Sequence, residues 1–234
     1  MTSPKGYFGK PATRVAAFIV AALVLGVWAT LAFAAGGADV RGRVIVMKGG
    51  EAKSNHGGVV VYLKGVPNAL PDTSKLVSRV YQRDKQFTPA VSVALLGSSI
   101  EFPNDDNVFH NVFSLSKALR FDLGLYKSGA SKTVKAKKVG VIDVYCNIHP
   151  QMAAKVLVLD TKYYAVTESD GQFKIQGVPP GSYELVAWQR RGKEVSQRVT
   201  VGPGSKSELR VELVESDERE RHVRKDGTPY GRYE

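Results

Sequence analysis

Along most of the chain the hydrophobic positions alternate with period two, the spacing of strands, and few stretches carry a long helical periodicity. Asp39 to Met47 (Asp-Val-Arg-Gly-Arg-Val-Ile-Val-Met) suits a first strand, and Gly58 to Lys64 (Gly-Val-Val-Val-Tyr-Leu-Lys) is a β-branched run that suits a second. Gly65 to Asp72, with Pro67 and Pro71, breaks the pattern. Strand-like runs then follow at short intervals: Ala90 to Leu96, Ser99 to Phe102, and Val108 to Ser114 beyond the polar loop Pro103-Asn-Asp-Asp-Asn. Val139 to Cys146 and Ala153 to Leu159 complete the first half. After Asp160 the run from Tyr163 to Trp188 reads strand, Asp-Gly turn, strand, Pro-Pro-Gly turn, strand, and Glu194 to Val201 and Ser207 to Val214 are two further strands. The expectation is an all-β protein.

One short stretch carries unusual chemistry. In Val139 to Cys146 the residues Ile142, Val144 and Cys146 share one face, so the thiol of the only cysteine points into the core with them. His149 follows three residues later, in a loop stiffened by Pro150, and Met152 three residues after that. A thiolate, an imidazole and a thioether from one loop are three of the four ligands of a mononuclear blue-copper site, which also needs a second His. His56 lies in the loop Ser-Asn-His-Gly-Gly and reads as a solvated loop histidine, and His222 lies in a charged tail. His110, at a loop-to-strand junction between apolar residues, is the remaining histidine and the candidate fourth ligand. Read alone, Cys146 is a small buried hydrophobe and His110 a hydrogen-bonded core histidine. Zinc could occupy the same four positions, so copper rests on the Met and on the compartment.

The compartment is read from the N-terminus. Basic residues ending at Arg14 precede an uncharged run, Val15 to Phe33, and Ala32-Phe33-Ala34 fits a signal-peptidase site. The expectation is export to the periplasm or an equivalent compartment, with residues 1–34 either cleaved after Ala34 or kept as a membrane anchor. The formal net charge is +11, of which Lys5, Lys10 and Arg14 supply three in a leader without acids, leaving +8. A partner with an acidic docking surface is expected. Lys117 to Lys138, with seven basic residues and one acid, Asp122, is either a solvated face or the docking patch for it. Nucleic acid is not expected, because the chain is exported and its aromatics follow strand spacing.

Phe87-Thr-Pro, Gly97, Ile100-Glu-Phe-Pro-Asn-Asp, His110-Asn-Val and Tyr145-Cys-Asn-Ile-His-Pro-Gln-Met resemble the cupredoxin family. The Cys-x-x-His-Pro-x-Met spacing is most similar to the amicyanin type; plastocyanins and pseudoazurins carry a longer gap between His and Met. The resemblance covers about residues 73–160. It implies a Greek-key β-sandwich with one type 1 copper bound by His110, Cys146 and His149, and Met152 as the long axial ligand. It also implies one-electron transfer with the edge of His149 as the electron port. The chain is much longer than a free-standing carrier of this type.

The second half resembles the carboxypeptidase regulatory-like, transthyretin-type β-sandwich, in Thr-x-x-Asp-Gly-x-Phe (Thr167 to Phe173) and Val178-Pro-Pro-Gly-Ser-Tyr. Such modules usually begin with a Gly-x-Val strand and a Val-x-Val-x-Leu strand, and Gly42-Arg-Val and Val59 to Leu63 look like that beginning. The expected organisation is a discontinuous second sandwich, 39–66 with 162–214, around an inserted cupredoxin domain, 68–160; the simpler alternative gives 39–66 to the cupredoxin itself. Residues 215–234 alternate acids and bases and are expected as a flexible tail or an arm on a partner.

The expected function is an exported blue-copper protein carrying single electrons between redox partners. The alternative is a copper-binding or copper-delivery protein without redox turnover. An enzyme is not expected: with only four histidines there is no second His-rich cluster, and Glu168 and Asp170 read as turn and surface residues.

Overall fold

The structure is a computed structural model and describes residues 37–202, 208–217 and 222–230. The expected signal peptide or anchor helix at 1–34 lies outside the described residues. No helix among the described residues is long and apolar enough to cross a membrane.

The described strands run in chain order as β1 (Ala38–Lys48), β2 (Glu51–Ala52), β3 (Val60–Lys64), β4 (Val77–Arg79), β5 (Tyr81–Arg83) and β6 (Gln86–Thr88). Next come β7 (Val91–Leu95), β8 (Ser99–Pro103), β9 (His110–Leu115), β10 (Arg120–Tyr126), β11 (Ser131–Lys135) and β12 (Gly140–Tyr145). The last are β13 (Ala153–Leu159), β14 (Tyr164–Val166), β15 (Gln172–Val178), β16 (Gly181–Trp188), β17 (Val195–Val201) and β18 (Glu208–Val214). The alternation along the chain places most of these. The run Lys117 to Lys138, read from its charge alone, contains β10 and β11, where polar residues alternate outward and Tyr126 turns inward.

Two sandwiches result. In one, a sheet ordered β15-β1-β18, with β2 on β1, faces a sheet ordered β14-β3-β16-β17. Val44, Val46, Val61, Leu63, Phe173, Ile175, Leu185 and Leu213 fill the space between them. β1 pairs antiparallel with β15 and parallel with β18, and β3 pairs antiparallel with β14 and β16, so strands from the start of the chain and strands from its end build this core together. The Asp170-Gly171 turn before β15 sits tight on β1. Val44 N–H donates to the Gly171 carbonyl at 2.9 Å, and a Cβ on Gly171, whose φ is +83°, would lie 2.1 Å from the Val44 carbonyl oxygen.

The other sandwich lies between β3 and β14 in sequence. Its sheet β10-β9-β12-β13-β7 is antiparallel except where β13 pairs parallel with β7, and it faces β11-β8-β4. Ile100, Phe102, Val112, Ile142, Val144, Val156, Cys146 and Met152 are buried in its core.

A third apolar cluster joins the two. Val60, Tyr62, Val186 and Trp188 on the outer face of β3 and β16 pack with Val93, Leu95, Leu157 and Leu159 on the outer face of β7 and β13. These four strands are therefore covered on both faces. That is why Val-Val-Tyr-Leu in β3 and Val-Leu-Val-Leu in β13 are continuous apolar runs where a half-exposed strand would alternate.

Candidate metal centre

Strand β12 delivers Cys146 as period two requires. Val144 and Cys146 point inward, and the sulfur is fully buried. The chain then leaves the ladder, whose last pair is Tyr145 opposite Ala153, and makes a short loop. Two backbone bonds close it: Met152 N–H donates to the His149 carbonyl at 3.0 Å, and Cys146 N–H to the Met152 carbonyl at 3.3 Å. His110 opens β9, the neighbouring strand, and is wholly buried.

These elements bring three donor atoms together. His110 Nδ1 and His149 Nδ1 are 3.0 Å apart, and Cys146 Sγ lies 3.9 Å from the first and 3.7 Å from the second. A point equidistant from the three is about 2.1 Å from each, against about 2.0–2.1 Å for a zinc–imidazole bond and about 2.3 Å for a zinc–thiolate bond. The triangle is thus the size that a first-row metal ion fills, and His110, Cys146 and His149 form a candidate metal-binding cluster. Soft thiolate with two imidazoles is a donor set that suits copper. Met152 is fully buried in the same core as Cys146. His56 and His222 are not part of the cluster: His56 Nδ1 accepts from Val46 N–H at 3.0 Å in the other sandwich, and the His222 ring stacks on Tyr145, beside Cys146.

The state of the imidazoles follows from their surroundings. His110 Nε2 lies 2.6 Å from Asp106 Oδ2. A carboxylate can only accept, so Nε2 carries the hydrogen and Nδ1 presents its lone pair to the cluster. Asp106 is itself held by the turn between β5 and β6, whose Asp84 and Lys85 have φ of 51° and 52°, so that both N–H groups point at its carboxylate, at 2.6 and 2.9 Å. Burial pushes the Asp106 carboxyl up, but the Lys85 amide, the His110 ring and the Asp84 amide outweigh it and hold the pKa below the ordinary carboxylate range. The His149 pKa is lowered, first by burial, which disfavours the charged ring. The lowered pKa favours a lone pair over a proton on the His149 ring, where a metal would bind.

Asp106, which holds the His110 ring, is a residue of the candidate site that the reading of the sequence did not single out. Its signal was its place four residues before His110 in Pro-Asn-Asp-Asp-Asn, but three acids and amides in that loop compete for the same role. The loop holds them apart: Asn104 Nδ2 donates to the carbonyls of Val108 and Tyr126, and Asp105 pairs with Arg83 at 2.8 Å.

The model of the carboxypeptidase regulatory-like domain family matches residues 147–214. The match begins in the loop that follows Cys146 and runs through β13, which belongs to the sheet that carries the candidate cluster, before covering β14 to β18. No curated protein matches the chain. Among solved structures the chain is similar to a purple cupredoxin from Nitrosopumilus maritimus, at 20% identity over 35% of this chain and 99% of that one, with a TM-score of 0.32. It is similar to a copper-containing nitrite reductase from Thermus scotoductus SA-01 at 22% identity, over 36% of this chain and 22% of the reductase, TM-score 0.34. It is also similar to an amicyanin variant in the Cu(I) state at 17% identity, over 42% and 98% of the two chains, TM-score 0.34. The family model thus covers β14 to β18 of one sandwich, while the other sandwich gathers His110, Cys146 and His149 where β9 begins and β12 ends.

Proposed function

We propose that the protein is an exported copper-binding protein that holds one copper ion through His110, Cys146 and His149, with Met152 as the fourth ligand. The observation that carries this is the triangle of donor atoms, sized for one metal ion and set in an apolar core. Thiolate and thioether suit Cu(I), and imidazoles suit Cu(II) as well, so the set serves both oxidation states.

The role we propose for that copper is single-electron carriage, with no enzymatic turnover. What supports it is burial: His110, Cys146 and Met152 are inaccessible, which favours retaining the metal. His149 is partly exposed and offers the edge through which an electron would pass. The basic residues of β10, β11 and their flanks are the proposed docking side for an acidic redox partner, and a retained leader would tether the protein to a membrane. Copper carriage without redox turnover is the second reading. It is favoured by the origin of three of the four ligands in one loop, which a single opening could release.

A visible and electron-paramagnetic-resonance spectrum after adding Cu(II), with a reductant titration, tests the binding. The expected result is a strong thiolate-to-copper band that one electron bleaches reversibly and that Cys146→Ser abolishes. A Cys146→Ser protein of undiminished colour would refute the ligand assignment. Reversible exchange of electrons with a partner, against transfer of copper to an apo-acceptor, separates the two roles.

A further inference from the structure

Residues 222–230 lie against the segment that supplies the Cys146 ligand. The stretch is shaped by its own turn: Arg224 N–H donates to the Thr228 carbonyl at 2.8 Å, and Asp226 Oδ1 accepts from the Thr228 amide and hydroxyl at 2.9 and 2.7 Å. Three consecutive residues of the ligand segment are each engaged by a different residue of this stretch. The His222 ring stacks on Tyr145 with centroids 4.1 Å apart and planes within 4°. Tyr230 O–H donates to the Cys146 carbonyl at 2.7 Å. Lys225 N–H donates to Asn147 Oδ1 at 3.0 Å. Tyr230 in turn meets the His222 ring edge-on at 5.1 Å, so the contacts support one another. The Lys225 ammonium also pairs with Asp122 on β10 at 2.7 Å, but both side chains are well exposed and the pair adds little by itself.

The place of these contacts matters more than their number. Cys146 sits just beyond the last ladder pair of β12. Its N–H is held by Met152, and its carbonyl is held by Tyr230. Bonds on both sides fix the peptide planes that flank its Cα, and those planes set where Sγ stands relative to the two imidazole nitrogens. A ligand set works only when its supporting groups hold it within a fraction of an ångström.

We propose that residues 222–230 form a strap that positions the Cys146 ligand, with Tyr230 as the positioning residue. The effect on a bound metal rests on the copper reading above; the effect on the loop does not.

The test is amide hydrogen exchange of the metal-free full-length protein, of Tyr230→Phe, which keeps the ring and removes the donor, and of a chain ended after Arg221. Exchange at residues 146–152 is expected to quicken about threefold in Tyr230→Phe and about tenfold in the shortened chain, with the amides of β1, β15 and β18 unchanged. In a second arm, with Cu(II) as the probe, Tyr230→Phe is expected to shift the thiolate-to-copper band and to release copper to a chelator several times faster. Unchanged exchange at 146–152 in both variants overturns the strap, even if Cu(II) gives the expected band in each. A rise spread over both sandwiches marks general loss of stability and overturns it too. Quicker exchange confined to 146–152, in a protein that forms no thiolate band with Cu(II), leaves the strap standing and removes the copper reading.

Discussion

In the sandwich completed by β1 and β3, the buried cluster consists of aliphatic and aromatic side chains from Val40 to Leu213, and its buried polar groups serve turns and strand ends. Thr167 Oγ1, for instance, accepts from Val59 N–H and donates to the His56 carbonyl. In the sandwich that holds the cluster, by contrast, Gln82, Asn104, His110, Asn111 and Ser114 are all buried polar residues. Gln82 Nε2 donates to Tyr126 Oη at 2.6 Å, and Tyr126 O–H to the Phe102 carbonyl at 3.0 Å. A sandwich that must keep an imidazole dry and oriented has to bury its supporting polar groups too, and each of them needs a partner. The other sandwich carries no such demand. It can turn a wholly apolar face to its neighbour, and the seam of Tyr62, Val186 and Trp188 against Leu95, Leu157 and Leu159 is that face.

The contrast can be broken most severely at the seam. Trp188→Ala leaves a hole between the two sandwiches, and a loss of about 3–5 kcal/mol is expected, read as a lower urea midpoint by circular dichroism. An unchanged midpoint would mean that the seam is not what joins them. Gly42→Ala strikes the apolar sandwich alone. Its Cβ would lie 2.3 Å from the Leu209 carbonyl oxygen and 2.8 Å from the Phe173 ring, so backbone must move. About 3 kcal/mol of stability is expected to go, while the Cu(II) spectrum in the absence of denaturant stays as it was.

Asp106→Asn makes the opposite cut. It replaces one acceptor oxygen by an amide N–H that meets the N–H groups of Asp84 or Lys85 or the hydrogen on His110 Nε2. Copper affinity is expected to fall about ten- to a hundredfold in a chelator competition, with Trp188 fluorescence unaltered. The smallest effect is expected at Glu215, which closes the apolar sandwich beside Lys53, Lys48 and Arg191. Burial pushes its carboxyl up, but those cations outweigh it, and the folded pKa lies below the ordinary value. Its contribution is therefore complete above the unfolded pKa of about 4.3 and is lost as the pH falls through the lower folded value. Glu215→Gln is expected to cost about 1 kcal/mol at neutral pH, and urea midpoints taken from pH 7 down to pH 3 should show the gap to the unaltered protein closing.

What could be read from the sequence was what period and spacing carry. Cys146 faces the core because Ile142 and Val144 do, and His149 follows within the same loop; those are local relations of a few residues. His110 was reached by elimination among four histidines, and the structure sets its Nδ1 within 3.9 Å of the Cys146 sulfur. The short strands β4, β5 and β6, and the charged β11, escaped the pattern because edge strands of three to five residues with polar outer faces lack an apolar signature, while β10, with Phe121, Leu123 and Leu125 at period two, was read by its charge alone. The second buried face of β3 could not be seen either, since its partners in β7 and β13 are supplied by residues far along the chain. Residues 222–230 engage the loop by one stack and a few polar contacts, which leave no periodic trace.

The pairing of β3 with β14, Val60–Tyr62 against Tyr164–Val166, joins the two ends of the intervening sandwich, and Leu63 N–H and Lys162 N–H tie the crossing further, to the Tyr163 and Ala69 carbonyls. If that stretch were loose coil, closing a loop of about 100 residues would cost on the order of 4 kcal/mol of chain entropy. A folded insert removes most of that burden, because it already presents its two ends side by side. Folding should then proceed from the inside outward, with the intervening sandwich as the template on which the flanking strands assemble. Any change that delays the inner unit should delay the outer one as well, including changes nowhere near it.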